Sequence, residues 1–307
     1  LLYDLEAGGW SAELCALLGV PQSALPEVVP SSGELGRSDP ASFLGLDLPI
    51  AGIAGDQQAA LFGQACYQQG ASKCTYGTGS FVLANTGGTP VRSGAGLLTT
   101  VAWDLGAGPV YALEGAIFVT GAAVQWLRDG LGLIDQAAEI EGLARTVADT
   151  GGVFFVPALT GLGAPDWDPG ARGTIVGITR GTTRAHLARA TLEAIAFEVR
   201  DVVDVMVDEA GIAVPELSAD GGAAANDLLC QLQADQLGVP VRRPVVTETT
   251  ALGAAFLAGL AVGVWSSTDQ LAATWREDRR FTPVEGARGD GRHARWRQAV
   301  ARSLSWD

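Results

Sequence analysis

Four short runs in this chain bring together residue types that can do chemistry. Gly55-Asp56-Gln57-Gln58 places a carboxylate just before a helix-like stretch. There it could take a proton from a substrate hydroxyl, while the Gln57 amide donates to and accepts from a polyol. A helix-capping aspartate is the simpler reading of that run taken alone. Thr75-Tyr76-Gly77-Thr78-Gly79-Ser80-Phe81 reads as a hairpin tip that presents N–H and O–H donors together, a phosphate cradle in kind. Gly and Thr are also ordinary tip residues. In Asp220-Gly221-Gly222-Ala223-Ala224-Ala225-Asn226, glycines between a strand end and a helix start let a nucleotide approach the backbone and the helix amino terminus. A βα turn with no ligand fits the spacing equally well. Gly161-Leu162-Gly163-Ala164-Pro165-Asp166-Trp167-Asp168-Pro169 sets two carboxylates around a tryptophan. Two solvated loop aspartates explain it more simply than a metal site.

Composition narrows the chemistry. Only two histidines occur, His186 and His293, far apart in sequence, so a general base would be a carboxylate rather than an imidazole. The net charge of −14 does not attract a phosphate backbone, and nucleic acid is not an expected partner. Phosphates would have to be held by backbone donors, a metal ion or single basic side chains. Cys15, Cys66, Cys74 and Cys230 form no Cys-x-x-Cys pair, which argues against structural zinc and suits a reducing cytoplasm. No apolar run is long enough to span a membrane. The 307 residues are 48% hydrophobic and 18% charged, a globular balance with ample material for a core.

The elements that must position these runs follow from periodicity. Ser11 caps a helix over residues 11–18 with Leu14, Leu17 and Leu18 on one face. Residues 36–48 read as loop, and 59–68 as helix. Strands are expected over 73–76, 80–85, 98–104 and 110–114, then helices over 118–131 and 135–148. Residues 153–156 form a short buried-strand candidate. Residues 183–209 show the clearest helical spacing, ended by Gly211. Strand 217–220, helix 226–237, strand 239–242, helix 250–262 and an amphipathic helix over 288–304 complete the pattern. Arg276, Arg279, Arg280, Arg288, Arg292, Arg295, Arg297 and Arg302 read as a solvated basic face. Strands first, then strand–helix alternation, predict an α/β domain with a mixed sheet flanked by helices over residues 65–307. Residues 1–64 read as the tail of a preceding domain.

The motifs carry more in combination than singly. Ile53-Ala54-Gly55-Asp56-Gln57-Gln58-Ala59-Ala60-Leu61-Phe62-Gly63 resembles glycerol kinases almost letter for letter. Thr75 to Phe81, Tyr111-Ala112-Leu113-Glu114-Gly115-Ala116, Gln125-Trp126-Leu127-Arg128-Asp129 and the runs at 159–168, 220–223 and 250–255 continue the match in order. The resemblance covers essentially the whole chain and implies the actin-like ATPase (ribonuclease H-like) fold of carbohydrate kinases, with residues 1–64 the end of an amino-terminal domain of the same type. It implies ATP-dependent phosphorylation of glycerol to glycerol 3-phosphate with Mg2+, in the cytoplasm. By position it makes Asp56 the general base, with Gln57 and Phe81 beside it in the glycerol pocket. Thr78 would meet the nucleotide phosphates, Gly121 and Gln125 the nucleotide, and Gly222 and Asn226 the adenosine part. No metal ligand is assigned.

Two departures stand out. The family's amino-terminal phosphate loop and glycerol-gripping residues are absent from these 307 residues, which are therefore expected to be inactive alone. Residues 40–47 lack the Gly-Lys-Gly-Gly-x-Arg loop of members regulated by fructose 1,6-bisphosphate, so that regulation is not expected. The competing reading is a non-catalytic nucleotide- or partner-binding module derived from a polyol or sugar kinase such as a pentulose kinase. A homo-oligomer is left open.

Overall fold

Apolar residues on both sides of the strands between 72 and 117 predict a sheet covered on both faces. The computed structural model, which describes residues 2–211 and 213–306, contains one. The chain opens with β1 (Tyr3–Asp4), β2 (Gly9–Trp10), α1 (Ala12–Leu17), β3 (Ser32–Arg37), β4 (Pro49–Gly52) and α2 (Asp56–Gly63). There follow β5 (Ser72–Tyr76), β6 (Ser80–Gly87), β7 (Leu98–Asp104), β8 (Pro109–Ile117), α3 (Gly121–Gln125) and α4 (Glu139–Ala144). Next come β9 (Phe154–Val156), β10 (Thr174–Val176), α5 (Arg184–Ala210), β11 (Leu217–Asp220), α6 (Asp227–Leu237) and β12 (Val241–Pro244). The chain closes with α7 (Thr249–Ala261), α8 (Thr268–Thr274), β13 (Glu277–Phe281) and α9 (Asp290–Val300).

The large sheet has seven strands in the order β13-β12-β11-β5-β6-β8-β7. Its centre, β12-β11-β5, is parallel, and β6, β8, β7 and β13 join antiparallel. The expected mixed sheet flanked by helices is what forms. Strand alternation divides its residues. Cys74, Tyr76, Val82, Ala84, Leu113, Leu217 and Ala219 face Ile195, Val199 and Val202 of α5 and Leu229 of α6. Leu83 and Ala112 face Leu61 and Phe62 of α2 and Phe256 and Leu257 of α7. The second face also carries polar side chains. The register aligns Ser218, Lys73, Leu83 and Glu114 in one row, and Asp220, Thr75, Phe81 and Ala116 in the next.

Local signals explain several elements. Ser11 Oγ accepts the Leu14 N–H (3.2 Å) and starts α1. Its expected apolar face does not hold: Leu17 and Leu18 are exposed and Cys15 is the buried residue. At the start of α5 the Thr183 N–H donates to His186 Nδ1 (3.1 Å), and Gly211, at φ 62°, ends the helix in the left-handed region. The four cysteines are free and buried. Among the described residues, no helix is long and apolar enough to cross a membrane.

Several boundaries differ from the sequence expectation. The helix expected over 59–68 begins at Asp56 and ends at Gly63, so Asp56 lies in its first turn and Gly55 is the N-cap. Arg37, expected in a loop, pairs with Pro49 between β3 and β4. The helix expected over 118–131 starts only at Gly121 and widens into a π-helical turn over Trp126–Gly130. That over 135–148 shrinks to Glu139–Ala144. Strand β12 starts at Val241 rather than 239, and β13 was not expected.

Of the arginines expected to form a solvated face, Arg276, Arg295 and Arg302 are exposed, whereas the other five are held in ion pairs. Arg279 and Arg280 stand on β13 and pair with Asp227 and Glu216. Arg288 pairs with Asp204, and Arg292 with the buried Glu193. Arg297 binds Asp166 through both oxygens (2.8 and 3.0 Å) and reaches Asp201 (2.9 Å). Asp201 also accepts from Trp296 Nε1 (2.8 Å), whose ring stacks on Phe197 at 5.4 Å. Asp166 and Asp168 are likewise not solvated loop groups: Asp168 accepts the N–H groups of Gly170 and Ser305. The two half-buried aspartates anchor the carboxy-terminal segment through charge-assisted hydrogen bonds.

Candidate functional site

The β5–β6 hairpin tip is built into the fold rather than free. The Gly77 N–H donates to Gly79 O (2.8 Å) and closes the turn. Gly77 O accepts from Gly121 N (3.0 Å), and Thr78 O accepts from Thr120 N (2.8 Å) and Ala122 N (3.1 Å). The first donors of α3 are thus taken up by the hairpin, which fixes where that helix begins. A Cβ on Gly121 would stand 2.7 Å from Gly77 O, so the approach requires glycine. Gly221, at φ 83°, meets the same hairpin from the other side: a Cβ there would lie 2.6 Å from Tyr76 O.

These three segments enclose a cavity of about 450 Å³. Thr78, Gly121, Gln125, Gly222 and Asn226, named separately from the sequence, all line it. Val124, Ile140, Leu192 and Ile195 supply apolar wall. The size and mix suit a cofactor-sized ligand with one apolar and one polar end. No protein atom lies within 4 Å of where a Cβ on Gly222 would be, so that backbone faces open space. A nucleotide fits this donor set: glycine backbone and a threonine at one end, apolar side chains beside them.

One feature differs from the expectation that a helix amino terminus would serve the ligand. A 3-10 turn, Gly222–Ala225, separates the strand from α6. The first donors of α6 are already used, with Asn226 Oδ1 accepting from Leu229 N (2.9 Å) and Glu141 Oε2 from Asp227 N (3.1 Å). Asp227 itself bonds Arg243 (2.9 Å). The glycine turn, not the helix end, faces the cavity, and a ligand would meet the NH2 of Asn226 rather than its oxygen.

Asp56, Gln57 and Phe81 do not line the cavity. Asp56 is exposed in the first turn of α2, its Oδ1 accepting the Gln57 N–H (2.8 Å). Phe81 is half-buried on β6, two residues beyond the glycine tip whose Thr78 does line the cavity. The hairpin therefore joins the two groups of residues.

Sequence reading missed the charged groups beneath α2. In the orientation that satisfies both side chains, the Gln57 amide nitrogen donates to both oxygens of Glu114, at 2.7 and 2.9 Å. Burial pushes the Glu114 carboxyl above its usual range; Lys73 opposes the shift and Asp56 adds to it. Lys73 is fully buried, and burial pulls its ammonium below the ordinary lysine value against the attraction of Asp220. Its Nζ donates to Thr75 Oγ1 (2.8 Å). Asp220 Oδ2 accepts from Gln64 Nε2 and Thr249 Oγ1, both at 2.6 Å. The signal available in sequence was a lysine and a glutamate inside otherwise apolar strands, which only pairing across the sheet explains.

Comparison with known proteins agrees with the resemblance read from the motifs. The FGGY family of carbohydrate kinases matches in two parts, its N-terminal domain over residues 1–63 and its C-terminal domain over residues 72–262. The whole chain is 58% identical to a glycerol kinase of Dechloromonas aromatica and covers 61% of it. Over 308 aligned residues it is 56% identical to glycerol kinase 2 of Thermotoga maritima, covering 62% of that protein. Among solved structures, Plasmodium falciparum glycerol kinase with ADP aligns over 99% of this chain and 61% of its own, with a TM-score of 0.91 at 37% identity. A xylulose kinase from Rhodospirillum rubrum aligns over 98% of this chain and 62% of its own, with a TM-score of 0.83 at 28% identity. The chain spans about three fifths of the length of the curated relatives it matches.

Proposed function

This chain belongs to the FGGY family of carbohydrate kinases, and from that premise we propose that the protein carrying it transfers the γ-phosphate of ATP to glycerol. The observation that carries the proposal is the meeting of residues from three separate segments around one cavity, in a chain 58% identical to a glycerol kinase. ATP lies in that cavity, with Gly222 and Asn226 at the adenosine, Gly121 and Gln125 along the nucleotide, and Thr78 at the phosphates. Glycerol lies beyond the hairpin, against Phe81 and Gln57. Asp56 takes the proton from the attacking hydroxyl as the in-line transfer proceeds. Its exposed place in the first turn of α2 supports this, since a base must reach a ligand rather than a core partner.

Magnesium bound with the nucleotide would neutralise developing charge on the phosphates. Among the described residues no group of three or more His, Cys, Asp or Glu side chains could hold a metal ion. The division near residue 64 into the end of one domain and a nucleotide-binding domain belongs to the same proposal, supported by one family match ending at residue 63 and the other beginning at residue 72. A cytoplasmic setting is supported by the four buried, unpaired thiols.

Glycerol-dependent release of ADP by the complete protein tests the reading, with xylulose as the rival acceptor. Turnover with glycerol at a kcat/KM at least about a hundredfold above xylulose is expected. No turnover with either would leave the non-catalytic binding module as the better account. Residues 1–307 alone are expected to give no glycerol-dependent turnover in the same assay.

Nucleotide placement has its own check. Gly222→Val adds a branched side chain whose Cβ meets no protein atom within 4 Å, so folding should be little disturbed. The side chain would occupy ligand space, and the KM for ATP should rise about tenfold or more while the thermal midpoint stays within a few degrees. Unchanged ATP affinity would remove Gly222 from the nucleotide site.

A further inference from the structure

The Gln57–Glu114 contact deepens the proposed function and rests on it. Glu114 lies on β8, 57 residues away in sequence, on the sheet face that α2 covers. A glutamine amide has two unlike ends, an acceptor oxygen and a donor NH2, and rotation of the group exchanges them. Here the NH2 sits against both carboxylate oxygens, at 2.7 and 2.9 Å. The reverse orientation would set the amide oxygen against two carboxylate oxygens. A carboxylate that only accepts therefore locks the amide in one sense, and Oε1 is left as the end that a ligand can meet.

Of the groups around Glu114, Lys73 favours the ionised form that only accepts, against burial and Asp56. Lys73 stands in the same cross-strand row, two strands away through Leu83. It is fully buried, so its charge is screened little by water. Leu83 between them is also fully buried and keeps the row in register. Glu114 itself is half-buried under α2, without direct contact to the nucleotide cavity.

We propose that Glu114 is a positioning residue of the acceptor site: it holds the Gln57 amide so that Oε1 faces the acceptor and takes a hydrogen bond from a polyol hydroxyl. Gln57 is then an obligate acceptor, and the site reads a hydroxyl donor at that point of the substrate. Glu114 does not touch the substrate; it acts through Gln57.

The test compares Glu114→Gln and Glu114→Asp in the complete protein, with separate KM values for glycerol and ATP, kcat and thermal midpoints. Glu114→Gln keeps volume but offers one donor and one acceptor, so either orientation of the Gln57 amide can pair with it. The KM for glycerol should rise about tenfold, with kcat and the KM for ATP within about twofold, because only ground-state binding of the acceptor is weakened. Glu114→Asp keeps an acceptor-only group and should give a glycerol KM between that of wild type and Glu114→Gln. Should Glu114→Gln not fold, a rise confined to glycerol in Glu114→Asp carries the same support. A wild-type glycerol KM in the folded variants overturns the proposal. So does a parallel rise of both KM values with a lowered thermal midpoint. A wild-type protein that phosphorylates no polyol overturns the proposed function as well, which separates the two failures.

Discussion

Replacing Asp56 by asparagine is expected to lower kcat of the complete protein with glycerol by about three orders of magnitude, the middle of the range for loss of a general base. The change is close to isosteric. The substituted amide keeps an oxygen that can accept the Gln57 N–H, the one hydrogen bond the Asp56 side chain makes among the described residues. Asp56 is exposed, so stability should move by no more than about 0.5 kcal/mol. The nucleotide cavity lies elsewhere, on Thr78, Gly121 and Gly222, and ATP affinity should be retained. Steady-state kinetics beside equilibrium nucleotide binding reads all three. Turnover within tenfold of wild type would show that Asp56 is an ordinary first-turn carboxylate, favourable to the helix dipole and nothing more.

The largest structural effect is expected at Gly253. Helices α2 and α7 cross at contact distance between backbones. A Cβ on Gly253 would lie 1.8 Å from Ala59 O, and one on Gly63 would lie 2.1 Å from Thr249 O. Neither contact involves a flexible side chain that could swing aside, so any side chain must push the helices apart. Gly253→Ala is expected to cost about 3 kcal/mol, the upper range for overpacking, despite the better helix propensity of alanine. Because α2 carries Asp56 and Gln57, turnover with glycerol should fall with stability. Gly291→Ala is the control: this glycine lies in α9 with nothing within 4 Å of the added carbon. It should be neutral or stabilising by up to about 1 kcal/mol. Thermal unfolding of the two variants side by side gives the contrast, and equal midpoints would refute the close crossing.

Much of this architecture was legible because its signals are local. Ser11, Gly211 and the glycines of the β5–β6 tip announce their elements through backbone conformations and caps that depend on a few neighbouring residues. The apolar strands between 72 and 117 were equally plain. Strand β13 was not. Glu277-Asp278-Arg279-Arg280-Phe281 carries four charges in five residues and reads as solvent-facing chain. It is a strand because β12 offers it an edge and because Asp227 and Glu216 receive its arginines. Arg297 reads as solvated for the same reason: Asp166, which fixes it, lies 131 residues earlier. The Asp220–Asn226 run is legible as a glycine turn beside a ligand cavity. The use of Asn226 and Glu141 to occupy the α6 amino terminus was invisible, since it depends on where α4 packs.

Sequence alone determined the chemical groups of this protein: a carboxylate followed by an amide, glycine turns without bulky side chains, and too little histidine for imidazole chemistry. Those follow from residue type and near spacing. The tertiary structure decided which end of Gln57 is free, which charges are paired, and how closely α2 can lie on α7. Each depends on strand register and helix crossing between residues far apart in the chain, where displacement by one residue turns a side chain to the opposite face of the sheet.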